Sequence, residues 1–278
     1  MKQLPRTWWI RILGMVIGIT VSGAMAQIMS TSLPAPMTST VLASVVVFWS
    51  VVLERGTGGN EITLGLPMSS LGVRHLALGL FIAFSMVALI VLPILPWSVI
   101  DVGRSTLSAT VLTIIGIIAA AVWEEVVFRG IIFDAVRERW GGITAVLVTA
   151  IPFGLLHGFN PSASIVTVVT TILAGIWFGT AVIGNRSLWL VIGLHIGWNL
   201  IVGMFVGPVS GHQFAGWRTR VIVDPSATVW FGTDYGVESG VGCIIVLILS
   251  TIYLLRRRQY DATVAASRYR LQGRFLQP

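Results

Sequence analysis

The stretch 119-AAAVWEEVVFRGIIF-133 places Glu124, Glu125 and Arg129 in the middle of an apolar run. Charges in such a setting cost free energy unless they are paired or put to use. The run is one of several. Of the 278 residues, 55% are apolar and 10% are charged, whereas soluble domains carry about 25% charged residues. Apolar stretches of about twenty residues recur along the chain, the length that crosses a bilayer as a helix. About eight are expected, at roughly 8–29, 37–53, 75–96, 106–139, 142–157, 163–184, 187–206 and 238–255. No strand-like alternation competes with them, and neither an internal repeat nor a low-complexity segment is visible. The expected fold is all-α, a polytopic membrane helical bundle. Residues 1–255 form the membrane domain and 256–278 a basic tail suited to anionic headgroups.

The charge balance supports this reading and excludes another. A net charge of +7 would fit nucleic-acid binding if the arginines formed a patch, but they sort by loop. Lys2, Arg6, Arg11, Arg55, Arg74, Arg137, Arg139, Arg186 and Arg256–Arg258 fall on one side of the expected bundle. Only Arg104, Arg218 and Arg220 fall on the other. The positive-inside rule then puts both termini in the cytoplasm, which agrees with an even number of spans. The sequence 24-AMA-26 offers a signal-peptide-like cleavage site, but an uncleaved first span suits a many-span protein better. Cys243, the single cysteine, reads as a packed small residue. The longest loop, about 207–237, carries His212, Arg218, Arg220, Asp224 and Asp234. It could be a lid or a partner site; an ordinary interfacial loop is the favoured reading. The tryptophans read mostly as interfacial anchors and packing.

Inside the fourth apolar segment, Glu125 and Arg129 are four apart and share a helix face, with the glutamate in the favoured N-terminal position. Glu124 points about 100° away and has no partner in its own helix. A carboxylate without a partner in an apolar setting is suited to act as a general base toward water. The fifth segment contains 152-PFGLLHG-158, with Phe153 and His157 four apart, and the seventh contains 193-GLHIGWN-199, with His195 and Asn199 four apart. Phe153 reads as packing. The turn between segments four and five centres near Trp140, sixteen residues after Glu124 and seventeen before His157. Both side chains therefore lie about 25 Å up their helices. His195 and Asn199 lie about 12–18 Å above the start of theirs. One layer inside the bilayer can hold all four. After His157 the sequence GFNPS should end the helix, and the pairs Gly175/Gly179 and Gly193/Gly197 allow close helix approach.

In order, EEVVFR fits EExxxR, FGLLH fits FxxxH and HIGWN fits HxxxN. On this background the chain resembles the CPBP family of intramembrane proteases, the CAAX-protease and bacteriocin-processing group also called Abi. The resemblance covers about 107–206. It implies an intramembrane endopeptidase in which Glu124 activates a water, His157 helps to hold it, and His195 and Asn199 stabilise the oxyanion. Glu125 and Arg129 would be the supporting pair. A metal-free mechanism, with no cofactor, is favoured because Asn199 suits an oxyanion hole and zinc seldom recruits it. The alternative is zinc held by Glu124, His157 and His195. Two rivals from other classes are a transporter whose buried charges form an ion path and a scaffold without catalysis. The expected partners are the lipid bilayer and a membrane-associated peptide or protein, with no nucleic acid. The expected location is the cell membrane, as a multi-pass protein of bacterial type.

Overall fold

The structure, a computed structural model, describes residues 7–29, 31–32, 35–57, 65–185, 187–214 and 219–274. Lys2, Arg6, Arg186 and Arg218, used in the charge count above, lie outside the described residues. Helices dominate. In chain order they are α1 (Trp8–Met29), α2 (Ala35–Gly56), α3 (Ser70–Val91), α4 (Leu107–Glu125), α5 (Phe133–Trp140), α6 (Gly142–His157), α7 (Ile165–Asn185), α8 (Leu188–Phe205), the short α9 (Thr228–Phe231) and α10 (Val241–Arg274). Among the described residues, five helical stretches are long and apolar enough to cross a membrane: Trp8–Met25, Ser70–Trp97, Leu107–Trp140, Ile165–Ile183 and Leu188–Phe205. The apolar α6 is shorter, and α2 and α10 are helices outside that set of five.

Local chemistry starts these helices. Ser69 caps α3 by accepting from the Gly72 amide, and Thr106 caps α4 by accepting from Ala109. At the α6 C-terminus the chain leaves the helix after His157, where GFNPS supplies the turn before α7.

Packing then follows residue size. The helix α8 is apolar apart from the face that carries His195 and Asn199, and it occupies the centre, with α3, α4 and α7 around it. Gly193 of α8 lies so close to α3 that a Cβ there would meet the Leu76 carbonyl oxygen at 2.3 Å. Gly175 of α7 faces α6 in the same way, with a Cβ meeting the Ala150 Cα at 2.8 Å. Small residues thus let backbones approach where lipid supplies no hydrophobic drive between helices. Large apolar side chains such as Phe48, Phe81, Leu89 and Ile165 are exposed on the outside, as a bilayer requires.

Tryptophans do more than pack. Trp49 donates to the Gly14 carbonyl, Trp177 to Ser250 Oγ, Trp189 to the Pro67 carbonyl and Trp230 to the Ile90 carbonyl. Each indole N–H joins two different elements while its ring fills an apolar gap. Arg11 also departs from the simple flanking role given above. It is buried, with Glu54 at 3.5 Å, Asp134 at 3.6 Å and Glu138 at 3.7 Å, and so ties α1 to α2 and α5.

Two expectations need correction. The all-α reading missed a two-stranded antiparallel ribbon, β1 (Ser98–Val102) with β2 (Thr219–Val223), in which Asp101 lies opposite Arg220. Five-residue strands in an apolar background leave too little alternation to detect. The single helix expected over 106–139 is also not uniform. Residues Val126–Ile132, between α4 and α5, form a π-helical segment.

Candidate active site

The π-helical segment follows Glu124 and Glu125 directly and contains Arg129. Such wide turns have poorer local hydrogen bonding and occur often at functional sites. Here Val126–Ile131 are all buried, so tertiary packing sustains the geometry. Within it, Arg129 Nη1 donates to Glu125 Oε1 at 3.3 Å, and Nη2 donates to the Gly175 carbonyl at 3.3 Å. Both Glu125 and Arg129 are fully buried. The Arg129 guanidinium also lies 4.3 Å from the Phe153 ring centre and 5.1 Å from that of Phe178. Ring faces stabilise a desolvated cation, and the carboxylate balances it.

Glu125 has a second partner that the i,i+4 pairing did not foretell. The Nδ1 of His195, on α8, lies 2.7 Å from Glu125 Oε1. A carboxylate only accepts, so Nδ1 carries the proton in this pair. The imidazole is stacked on Phe178, with centroids 4.8 Å apart and planes at 26°. Ring orientation and tautomer are thereby set together, which leaves Nε2 for other work. That Nε2 lies 3.9 Å from Glu124 Oε2. Glu124 Oε2 is buried and accepts no hydrogen bond from the protein.

His157 is oriented by its own helix. Its Nδ1 lies 2.7 Å from the Phe153 carbonyl oxygen, so Nδ1 donates and Nε2 is left as an acceptor. The ring also packs on Phe153, at 4.5 Å between centroids. Phe153 therefore carries Arg129 on its ring and both the ring and the Nδ1 proton of His157, a packing role as expected. A cavity of about 40 Å³ opens where α6, α7, α8 and α10 meet. This exceeds the roughly 10–15 Å³ that one water needs. His157, His195 and Asn199 line it. Glu124 stands beside the cavity, against His195, and is not in its wall.

The loop after α8 supplies residues that motif reading missed. Ser210 and Glu238 complete the cavity wall. Glu238 accepts from Trp198 Nε1 at 3.0 Å and from the backbone N–H of Ser210. Tyr235 is fully buried beneath the same loop, and its carbonyl accepts from the Gly211 amide at 2.8 Å. The interfacial-loop reading is therefore incomplete, because part of the loop roofs the cavity. His212 sits in that roof. Partial burial, then the nearby His157, hold its imidazole below the ordinary histidine range, while Glu124 pulls the other way. Nothing in the sequence around Glu238 marks it, since a single glutamate before an apolar run has many possible uses.

Residues 106–201 match the family model for Rce1-like type II CAAX prenyl endopeptidases. The match is consistent with the CPBP family and spans all three motifs. The proteins that this model describes are membrane-embedded peptidases, and residues 106–201 are similar to them. No curated protein matches the chain. The zinc alternative would draw on Glu124, His157 and His195 as donors. Tetrahedral zinc at ~2.1 Å from each ligand would hold two ligand atoms roughly 3.4 Å apart. Glu124 Oε2 and His195 Nε2 are 3.9 Å apart. Among the described residues, no three His, Cys, Asp or Glu side chains are grouped to hold a metal ion.

Proposed function

We propose that the protein is an intramembrane endopeptidase that hydrolyses peptide bonds with a glutamate-activated water and no metal. The observation that carries this reading is the unpartnered Glu124 Oε2, 3.9 Å from the Nε2 of a histidine that Glu125 holds in place. Glu124 takes a proton from water as the water attacks the scissile carbonyl, and later returns it to the leaving amine. His157 Nε2, free because Nδ1 is bound to the helix, accepts a hydrogen bond from the same water. The Asn199 amide and His195 donate to the oxyanion that forms. Because Nδ1 already donates to Glu125, His195 can donate through Nε2 only as an imidazolium. With that proton, Glu124, Glu125, Arg129 and His195 carry no net formal charge together, which suits a low-dielectric site.

The substrate is a peptide or protein segment presented by the membrane. The bundle sits in the cell membrane with eight spans, both termini cytoplasmic, and residues 256–278 on the headgroups. Purified protein in proteoliposomes with a farnesylated CAAX-type fluorogenic peptide tests the chemistry, and a comparison of membrane-protein fragments from cells with intact protein or Glu124→Ala tests for other substrates. Glu124→Ala should abolish cleavage without loss of the folded protein; undiminished cleavage removes the mechanism. Stoichiometric zinc in the active preparation, with activity lost to a chelator and restored by zinc, would overturn the metal-free reading.

A further inference from the structure

Glu238 is the one acidic side chain among the described residues that line the cavity, and the mechanism above gives it no task. Its partners come from two different elements. Trp198, whose Nε1 donates to Oε1 at 3.0 Å, is on α8 immediately before Asn199. Ser210, whose amide donates to Oε2, is in the loop after α8. The loop around these groups is tightly built. Gly236 has φ +107, and a Cβ on it would meet the Pro208 carbonyl oxygen at 2.1 Å. Gly211 has φ +80, and a Cβ on it would meet the Pro161 carbonyl oxygen at 1.9 Å. The α6–α7 turn, the roof and the start of α10 thus close on one another over the cavity. We propose that Glu238 is a positioning residue for hydrolysis, clamping the roof loop to the Trp198–Asn199 turn of α8 so that the Asn199 amide stays aimed at the oxyanion.

The inference rests on the endopeptidase reading for its role in turnover, but the clamp itself is open to test without a substrate. Cys243 is the single cysteine of the chain, is 1% exposed and lines the same cavity. Its reaction with a water-soluble maleimide reports how often the roof opens, and does so most directly in Trp198→Phe, which keeps the Glu238 carboxylate whose charge also acts on the thiol. Without both bonds, Glu238→Ala frees the roof. In full-length protein in proteoliposomes, labelling of Cys243 in Glu238→Ala should speed up about tenfold or more. Trp198→Phe keeps an aromatic ring, though a smaller one, removes one bond, and should give a smaller rise. Glu124→Ala should label like the parent protein. Thermal unfolding of each variant, read in parallel, separates roof opening from global loss of structure. Should Glu238→Ala fail to fold, Trp198→Phe and Glu238→Gln carry the test.

On the farnesylated reporter peptide, Glu238→Ala and Trp198→Phe should lower kcat with KM little changed, and Glu238→Gln, which keeps one acceptor oxygen, should recover part of it. Labelling at the parent rate in both Glu238→Ala and Trp198→Phe overturns the clamp, whatever the activity. Loss of kcat in Glu238→Gln with labelling at the parent rate also overturns it, because the carboxylate would then act on protons directly. Absence of cleavage by the parent protein would count against the endopeptidase reading, while the labelling series would still decide the clamp.

Discussion

Glu125 in the helical floor and Glu238 in the loop roof each hold a group on α8, by different means. The floor surrounds its carboxylate with a guanidinium, an imidazole and aromatic rings, all deep in the bundle. The roof gives its carboxylate an indole N–H and one backbone amide, at the edge of a loop. Ionic partners suit a place from which water is excluded, and they are costly to break singly because the survivor is left charged and buried. Neutral donors leave the roof carboxylate without an ionic partner, so loss of either bond strands no second charge. The comparison separates residues that do chemistry or sustain charge from residues that hold a cover.

The largest expected effect tests the floor. Glu124→Ala should lower the cleavage rate by at least the ~10²–10⁴-fold attributed to a general base. Its melting temperature should stay near that of the parent, since Glu124 Oε2 accepts no hydrogen bond from the protein. A variant that cleaves normally would leave the floor a purely structural ion set. Next comes the oxyanion. Asn199→Ala should cost about 10²–10³ in kcat with KM nearly unchanged, as for loss of one preorganised donor. A pure KM effect would move Asn199 from the reaction to substrate binding.

Glu125→Ala tests a different property of the floor. It strands Arg129 and frees the His195 ring, so a stability loss of about 3–5 kcal/mol is expected. Thermal unfolding and yield in detergent measure it. Arg129→Ala should behave alike, and the double variant Glu125→Ala/Arg129→Ala should be less harmful than the sum of the two. Full additivity would mean that the pair does not act as a unit.

The smallest effect belongs to the roof. His212 is held below its ordinary pKa of 6.5, by burial first and His157 second, with Glu124 opposing. The folded protein therefore binds fewer protons there than the unfolded chain in the interval between the two values. Its contribution to stability is complete above the ordinary value and is lost as the pH falls through the depressed one. Melting temperature should drop modestly on acidification, and His212→Asn should flatten part of that slope. An unchanged slope would place His212 outside the field of His157 and Glu124.

Much of this was legible before any coordinates. Composition located most of the long helices to within a few residues, because a bilayer tolerates little else, but α3 begins at Ser70 and not at 75, and α10 runs on to Arg274, through most of what was read as a tail beyond 255. The Glu125–Arg129 pair followed from helical spacing, and the glycine pairs marked real close approaches of α8 to α3 and of α7 to α6. The π-helical turn, the β1–β2 ribbon, the ion cluster around Arg11 and the bond from His195 to Glu125 were not legible. Each depends on partners far away in the chain or on a local geometry that sequence alone does not favour.

What the sequence determined by itself is a membrane bundle with three polar motifs on three helices, since apolar length and residue spacing are local properties. Only the tertiary structure decided that Glu125 serves His195 as well as Arg129, that Glu124 stands beside the cavity, and that Glu238 in the roof reaches Trp198. The reason is physical: a buried polar group takes whichever partner three-dimensional packing brings within about 3 Å.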